Sequence, residues 1–317
     1  MKTALIIGCN GQDGKITREL LSQRGYGLVC IDKDYVGTHG VTFNKKTDIE
    51  DFAAVVDLVR AIKFDEIYFF AAYHNSSQEK EKDKQTLFKR SYAINVYSLF
   101  NFLEAIRLHS LTTRLFYAAS SLIFADTEDA IQNEETSFKP NCIYGITKIN
   151  GLMLCRLYRS KYGVFAATGI LYNHESEYRT EDFLSKKIIK TAVDIKKGLK
   201  TSLTIGDLNA EVDWGYAYDY VDAFTKIMSI DEADDFIIAT GVKHKVLDFV
   251  KTAFNYLSLD WSKYVQEDKS IIHRKRKALV GDYSKLNKRT GWAPTTTFEQ
   301  MIKSLIEKEG KNSDGSK

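Results

Sequence analysis

Through its first half the chain alternates short apolar runs with longer segments of helical periodicity. Residues 3–7, 28–31, 67–72, 114–119 and 165–170 are brief and dominated by apolar side chains, the pattern of strands buried on both faces. Between them, residues 16–23, 52–62, 94–108 and 148–162 are long enough for helices. A β-α-β-α order of this kind predicts an α/β fold on a parallel, doubly wound sheet with right-handed crossovers. Beyond about Tyr172 the rhythm breaks, leaving helical patterns near 183–198 and 218–230 and one more strand pattern at 236–240. The expected organisation is a nucleotide-binding domain over 1–172, rejoined by a strand near 236–240, and a smaller C-terminal domain over 173–309, mainly for substrate. Phe298, Met301, Ile302, Leu305 and Ile306 form a helical docking stripe, and the polar residues 310–317 are expected to be disordered.

The first strand pattern runs into Gly8-Cys-Asn-Gly11-Gln-Asp-Gly14, which opens directly into a helical pattern. Glycines so placed let the backbone approach a pyrophosphate while the helix N-terminus faces its charge, a Rossmann-like arrangement in GxxGxxG spacing. By themselves three glycines are equally compatible with a plain turn. Asp32 changes that balance. It ends the second strand pattern 18 residues after Gly14, where a carboxylate accepts hydrogen bonds from the adenosine ribose and repels a 2′-phosphate. NAD is therefore the expected cofactor, and the neighbouring Lys33 leaves NADP open. Asp48, followed by Ile49, is an adenine contact or a solvated helix cap; Ala71 and Ala72, closing the third strand pattern, are further cofactor candidates.

Tyr144 and Lys148 follow the fourth strand pattern in Asn141-Cys-Ile-Tyr144-Gly-Ile-Thr-Lys148. A phenol with a pKa of about 10 is a poor base at neutral pH, so it needs a cation, and a lysine one helical turn away on the same face supplies it. As a bare pattern the pair is usually an exposed helix couple. In this place it reads as the acid/base of hydride transfer between a nicotinamide and an alcohol or ketone. Ser120 or Ser121, just beyond the strand pattern 114–119, can hold the substrate oxygen, since ligands bind at the carboxyl ends of parallel strands. Ser120 is taken as the orienting hydroxyl and Ser121 as a substrate contact.

With Asn95 in Tyr-Ala-Ile-Asn-Val, these residues resemble the extended short-chain dehydrogenase/reductases. Within that family, Gly11-Gln12-Asp13-Gly14, Gly169-Ile-Leu-Tyr-Asn173-His174-Glu175-Ser176, Asp213-Trp-Gly215 with Asp219-Tyr-Val221, Ile238-Ala-Thr-Gly-Val242 with His244, and Gly291-Trp-Ala-Pro294 resemble the GDP-mannose 4,6-dehydratase branch, across nearly the whole chain. The resemblance implies a nucleoside-diphosphate sugar as substrate, a GDP-hexose or GDP-heptose of surface-polysaccharide biosynthesis. It places Gln12 and Asp13 in the cofactor loop, brings Asn173 and Lys187 to the diphosphate or base, and implies a homodimer through 94–108 and 148–162.

Three positions depart from the branch. Leu122 stands where the dehydratases carry a glutamate, and leucine can neither take the C5 proton nor protonate the leaving C6 hydroxyl. Val212 replaces the arginine before Asp213-Trp-Gly, removing a bidentate diphosphate ligand. Asp32-Lys33-Asp34 replaces a basic pair suited to NADP, in a shorter loop. The expected activity is thus a dehydrogenase or 4-ketoreductase at sugar C4, with dehydratase or epimerase as alternatives. His74 is weighed as a substitute base against an ordinary loop histidine, and His174 and Glu175 as site residues against structural hydrogen bonding beneath the sugar. A non-catalytic dinucleotide-binding regulator is a different class of answer, disfavoured by the complete set of Tyr144, Lys148 and Ser120.

Composition removes other classes. In a chain of 317 residues, 45 basic and 42 acidic side chains leave +3, too balanced for nucleic-acid binding through the overall field. The run His273-Arg-Lys-Arg-Lys277 therefore reads as Arg274 or Arg276 gripping a nucleotide diphosphate, and Glu79-Lys-Glu-Lys-Asp-Lys84 as a solvated face. Cys9, Cys30, Cys142 and Cys155 lack metal-ligand spacing, and three lie in apolar surroundings, which predicts no metal site and a reducing, cytoplasmic setting. Apolar runs stop well short of the ~20 residues of a membrane span, so neither membrane insertion nor export is expected.

Overall fold

The computed structural model describes residues 1–33, 35–43, 45–73, 83–272 and 277–314. In chain order the first half contains β1 (Thr3–Ile7), α1 (Gln12–Gln23), β2 (Gly27–Asp32), β3 (Tyr35–His39), α2 (Phe52–Ile62), β4 (Glu66–Phe69), α3 (Lys84–Tyr92), α4 (Ser98–His109), β5 (Arg114–Ala118) and α5 (Ile143–Tyr162). There follow β6 (Ala166–Leu171), β7 (Asn173–Glu175), α6 (Leu184–Lys196), β8 (Leu203–Ile205), β9 (Glu211–Tyr216) and α7 (Ala217–Ile227). The last are β10 (Asp235–Ile238), β11 (Lys243–Lys245), α8 (Val246–Tyr256), β12 (Val265–Glu267), α9 (Ser284–Thr290) and α10 (Phe298–Asp314).

Seven strands form the main sheet in the order β10-β6-β5-β4-β1-β2-β3. Six run parallel; β3 is antiparallel to β2, with Asp32 opposite Tyr35. The expected parallel, doubly wound sheet is present, and β3 adds an antiparallel edge strand for a simple reason: only two residues separate Asp32 from Tyr35, enough for a hairpin and far too few for a crossover. Because β1 lies between β2 and β4, the winding reverses there and a crevice opens at the carboxyl ends of the strands.

Helices cover both faces. Val55 and Leu58 of α2, Phe102 and Ile106 of α4 and Leu152 and Cys155 of α5 bury one face; Ile16 and Leu21 of α1 and Tyr220 and Phe224 of α7 bury the other. A separate core joins α6, α8 and α10 to β9 through Ile188, Phe249, Ile302 and Trp214. The terminal helix runs to Asp314, so residues 310–314 are helical where disorder was expected. Side chains just before them hold that end down: Lys186 donates to the buried Glu309 at 2.5 Å, and Lys308 to Glu177 at 2.6 Å. Among the described residues no helix is long and apolar enough to cross a membrane, and no cluster of His, Cys, Asp or Glu has a metal-holding arrangement.

Candidate active site

At the end of β1 the chain turns through Gly8, whose φ is +86° and whose missing Cβ would lie 2.7 Å from the Ala71 nitrogen. Both the backbone and the neighbour exclude a side chain there. Gly14 answers a packing demand, since a Cβ would come within 2.3 Å of the Gly8 oxygen and 2.6 Å of Cys9 Cα. Gly11 has room, its nearest neighbour being the Gly8 oxygen at 3.4 Å. It caps α1 with no side-chain hydrogen bond, so the N-terminal amides remain available to an anion such as a dinucleotide pyrophosphate. Asp32 stands beside the loop with Oδ2 accepting from Asn10 N at 2.8 Å and Oδ1 from Lys33 N at 2.8 Å; the Lys33 side chain is exposed. Ala71 is half-buried against Gly8 and Ala72 is exposed. Asp48 is exposed and caps a local turn, accepting from Glu50 N at 2.9 Å, while Ile49 is half-buried against the sheet-face core.

Gln12 and Asp13 turn from the loop toward β7. Gln12 Nε2 donates to the His174 carbonyl at 3.0 Å, and Ser176 Oγ donates to Gln12 Oε1 at 2.8 Å. His174 Nδ1 lies 2.7 Å from the Tyr172 carbonyl and Nε2 lies 2.9 Å from Asp13 Oδ1. A carbonyl only accepts, so Nδ1 carries a proton; a second proton on Nε2 completes an imidazolium–carboxylate pair. Burial opposes charge on Asp13, yet His174 and then Arg179 hold its carboxyl below the usual range. The His174 ring stacks on Tyr220 at 4.4 Å. Arg179 donates to the His174 carbonyl at 2.8 Å and to Glu175 Oε2 at 3.1 Å, and Ser185 Oγ donates to that same carboxylate oxygen at 2.6 Å. Both His174 and Glu175 thus serve as structural ties beneath the crevice.

The catalytic candidates come from α5 and the end of β5. Lys148 is 1% exposed, and its ammonium donates to the Ala118 carbonyl at 2.7 Å between the rings of Tyr117 at 4.9 Å and Tyr144 at 5.5 Å. Burial pulls its pKa down to about 7 against the opposing charge of Asp13. Tyr144, half-buried at the head of α5, is pushed above the ordinary phenol range by burial, and Arg179 works the other way. Ser120 ends the extended segment and accepts from Leu122 N at 3.3 Å, starting the short turn Ser121–Phe124. Of the two serines Ser120 is the more exposed; Ser121 is buried. Leu122 is half-buried, and a Cβ on Gly145 would lie 2.7 Å from its carbonyl, so this turn packs directly on the residue next to Tyr144. Asn95, buried in a π-helical turn, accepts from Tyr73 N at 2.7 Å and donates to Thr147 Oγ1 at 2.9 Å, tying the chain beyond β4 to α5.

Other candidates scatter more widely. Asn173 is exposed at the start of β7. Lys187 is half-buried on α6, where burial and then Lys200 lower its pKa. Val212 is half-buried against the third core, and the following Asp213 accepts from Thr240, Gly241 and Gly281 backbone N–H groups, a structural knot. His74, Arg274 and Arg276 lie outside the described residues. Sequence reasoning missed Arg179, which follows β7 in a stretch without periodicity; its charge acting on Tyr144 is what brings it to notice.

A strand-order reversal, an open helix terminus over glycines, and a tyrosine beside a buried lysine are the features of an extended short-chain dehydrogenase/reductase. The fold agrees with RMD from Pseudomonas aeruginosa complexed with NADPH (TM-score 0.82, 18% identity, 98% of this chain and 100% of that one). It agrees equally with dTDP-glucose 4,6-dehydratase from Bacillus anthracis in complex with NAD (TM-score 0.82, 17% identity, 99% of this chain and 98% of that one). The family model described as GDP-mannose 4,6 dehydratase matches residues 5–305. GDP-mannose 4,6 dehydratase 2 of Arabidopsis thaliana is 34% identical over 97% of this chain and 87% of its own length; the GDP-mannose 4,6-dehydratase of Vibrio cholerae serotype O1 is 30% identical over 96% and 92%. The chain belongs to the GDP-mannose 4,6-dehydratase family.

Proposed function

We propose that this chain is an NAD(P)-dependent enzyme that oxidises or reduces a nucleoside-diphosphate sugar, of the GDP-hexose class, at C4, and that it stops short of eliminating water. The observation that carries the reading is the buried Lys148, fixed on the Ala118 carbonyl beside Tyr144, together with the glycine loop in which Gly11 leaves the N-terminus of α1 uncapped by any side chain. A nicotinamide bound there would supply the two-electron acceptor or donor. Tyr144 then exchanges a proton with the C4 oxygen, Lys148 favours its phenolate and holds the nicotinamide ribose, and Ser120 orients the sugar oxygen. Asp32, with both carboxylate oxygens held at the loop, favours NAD over NADP by accepting from the ribose hydroxyls.

Dehydration would require a base at C5 after C4 oxidation has acidified that position. Leu122 packs against the first turn of α5 and has no proton to exchange. Family membership favours the dehydratase as the second reading, with a base from elsewhere in the crevice. Incubation of the purified protein with GDP-hexoses and nicotinamide cofactor separates the two: the proposed activity changes nicotinamide absorbance and yields a 4-keto or 4-hydroxy sugar of unchanged water content. Tyr144→Phe should abolish the change. A product lighter by one water, formed at an ordinary enzymatic rate from GDP-mannose, establishes the dehydratase instead.

A homodimer completes the proposal. Phe100 and Leu108 on α4 and Met153 and Leu157 on α5 are large apolar side chains left exposed on two helices that pack together through Phe100 and Tyr158. Exposed apolar groups on neighbouring helices suit burial against a second copy.

A further inference from the structure

One short piece of β5 meets the Lys148 ammonium twice. The Ala118 carbonyl accepts from it at 2.7 Å, and the ammonium lies over the ring of the preceding Tyr117, 4.9 Å from the centroid. Successive strand side chains face opposite ways, so Tyr117 turns to α5 while Phe116 turns to α7 and packs on Phe224 at 4.6 Å. The Tyr117 ring is also held in place. Phe69 on the neighbouring β4 lies 6.2 Å from it, and its far end fills the notch at Gly151, whose missing Cβ would lie 2.2 Å from the hydroxyl and 2.4 Å from Cζ. Gly151 follows Lys148 by about one turn of α5, so helix and strand interlock at the lysine. The Tyr117 hydroxyl finds no hydrogen-bond partner among the described residues, and burial pushes the phenol well above its ordinary range. Tyr117 therefore keeps its proton and meets Lys148 as a neutral ring.

We propose that Tyr117 is a positioning residue of the hydride-transfer site, holding the Lys148 ammonium against its ring face, and that Gly151 is a glycine in order to admit that ring. A cation over an aromatic face is attracted by the negative charge of the π cloud, most strongly where water is excluded. Both partners are buried, Tyr117 completely and Lys148 all but completely. The remaining groups that act on Lys148 are the charges of Asp13 on α1 and Cys155 on α5, and the Tyr144 ring at 5.5 Å. Tyr144 is the group proposed to exchange a proton with the sugar, whereas Tyr117 stays neutral throughout, so the support it gives Lys148 is the same before and after that exchange. Any side chain of similar volume could fill this part of the core, but only an aromatic one offers a cation its face.

The inference rests on the proposed part of Lys148 in hydride transfer, and the test keeps the two apart by reading Lys148 directly in nucleotide-free protein. Lysines are isotopically labelled at Cε, and the NMR signal missing from Lys148→Met is that of Lys148. Its titration midpoint, at about 7 in the unchanged protein, should fall by on the order of one pH unit in Tyr117→Leu, which loses the ring face. In Tyr117→Phe, which keeps the face, it should stay within about half a unit of the unchanged protein. Gly151→Ala displaces the ring without altering it and should lower the midpoint as well, so it carries the test where Tyr117→Leu does not fold. A midpoint unmoved or raised in folded Tyr117→Leu or Gly151→Ala, or lowered as far in Tyr117→Phe, reduces Tyr117 to core packing and overturns the inference. The hydride-transfer reading fails on a different measurement: no change in nicotinamide absorbance with any GDP-hexose in the unchanged protein, whatever the Lys148 midpoint does in the variants.

Discussion

Replacing Lys148 by methionine should make the empty protein more stable, and most of all at low pH. The side chain is 1% exposed, and burial brings its pKa from 10.5 down to about 7. The sign follows from when each state holds the proton. Below about pH 7 folded and unfolded chains both carry it, and the folded one bears the full cost of a buried charge; between about 7 and 10.5 the folded chain sheds it first and the cost falls; above 10.5 both are neutral. The whole interval corresponds to about 5 kcal/mol at about 1.4 kcal/mol per pH unit. Methionine also forfeits the donor to the Ala118 carbonyl, a loss of roughly 1–3 kcal/mol. The net gain for Lys148→Met is therefore roughly 2–4 kcal/mol near pH 6, fading to nothing or reversing near pH 10. Urea denaturation of nucleotide-free protein across that range measures it, and activity should disappear in the same variant. A methionine variant that is less stable near pH 6, or whose difference from the unchanged protein does not vary with pH, would refute a lysine held near neutrality by burial.

Three further outcomes test the rest of the site. Leu122→Glu restores a carboxylate beside the first turn of α5, and mass spectrometry should then detect water loss from GDP-mannose on the order of 100-fold faster than with Leu122, the low end of what a placed base contributes. Asp32→Ala should narrow the preference for NAD over NADP about tenfold, read as a ratio of dissociation constants so that loosening of the Asn10 turn cancels; an unmoved ratio reassigns the ribose contact. Met153→Asp, on the exposed face of α5, should convert a dimer to monomer in light scattering, and a single unchanged mass for both proteins would remove that face from the interface.

The parts of this protein that sequence reveals are those whose causes are local. Strands buried on both faces must be apolar throughout, which is why β1, β2 and β5 stand out as runs. β3 did not, because an edge strand with Tyr35, Gly37 and His39 has no buried run to display; its pairing follows from the length of the hairpin instead. Likewise Gly8 and Gly14 declare themselves through backbone demands, and Tyr144 and Lys148 through one turn of helix. Side chains defined by distant partners stay hidden. Gln12 and Asp13 sit in the glycine loop, and beyond the bond they make to each other their hydrogen bonds reach residues more than 160 positions away, which no local pattern shows. The end of α10 looks disordered by composition, while the partner of Glu309 lies 123 residues earlier.

That division between local and distant causes bears on how chemistry diverges on this scaffold. Lys148 and Asn95 are buried and bonded to other elements, so changing either shifts the stability of the fold, upward for Lys148 and downward for Asn95, as well as the reaction. Leu122 is different: it is half-buried in a four-residue turn whose hydrogen bonds are made by Ser120 and by backbone, and whose fit against α5 depends on its carbonyl and on Gly145. Its side chain can change without altering any of those contacts. On the proposed reading, a carboxylate there would add proton transfer at the carbon next to C4, and a leucine would withhold it while leaving the C4 exchange intact. Position 122 would then be a place where elimination could be gained or lost at little structural cost, and Leu122→Glu tests this directly: a folded variant that binds nucleotide sugar and oxidises C4 but still releases no water would show that the turn alone does not decide the reaction.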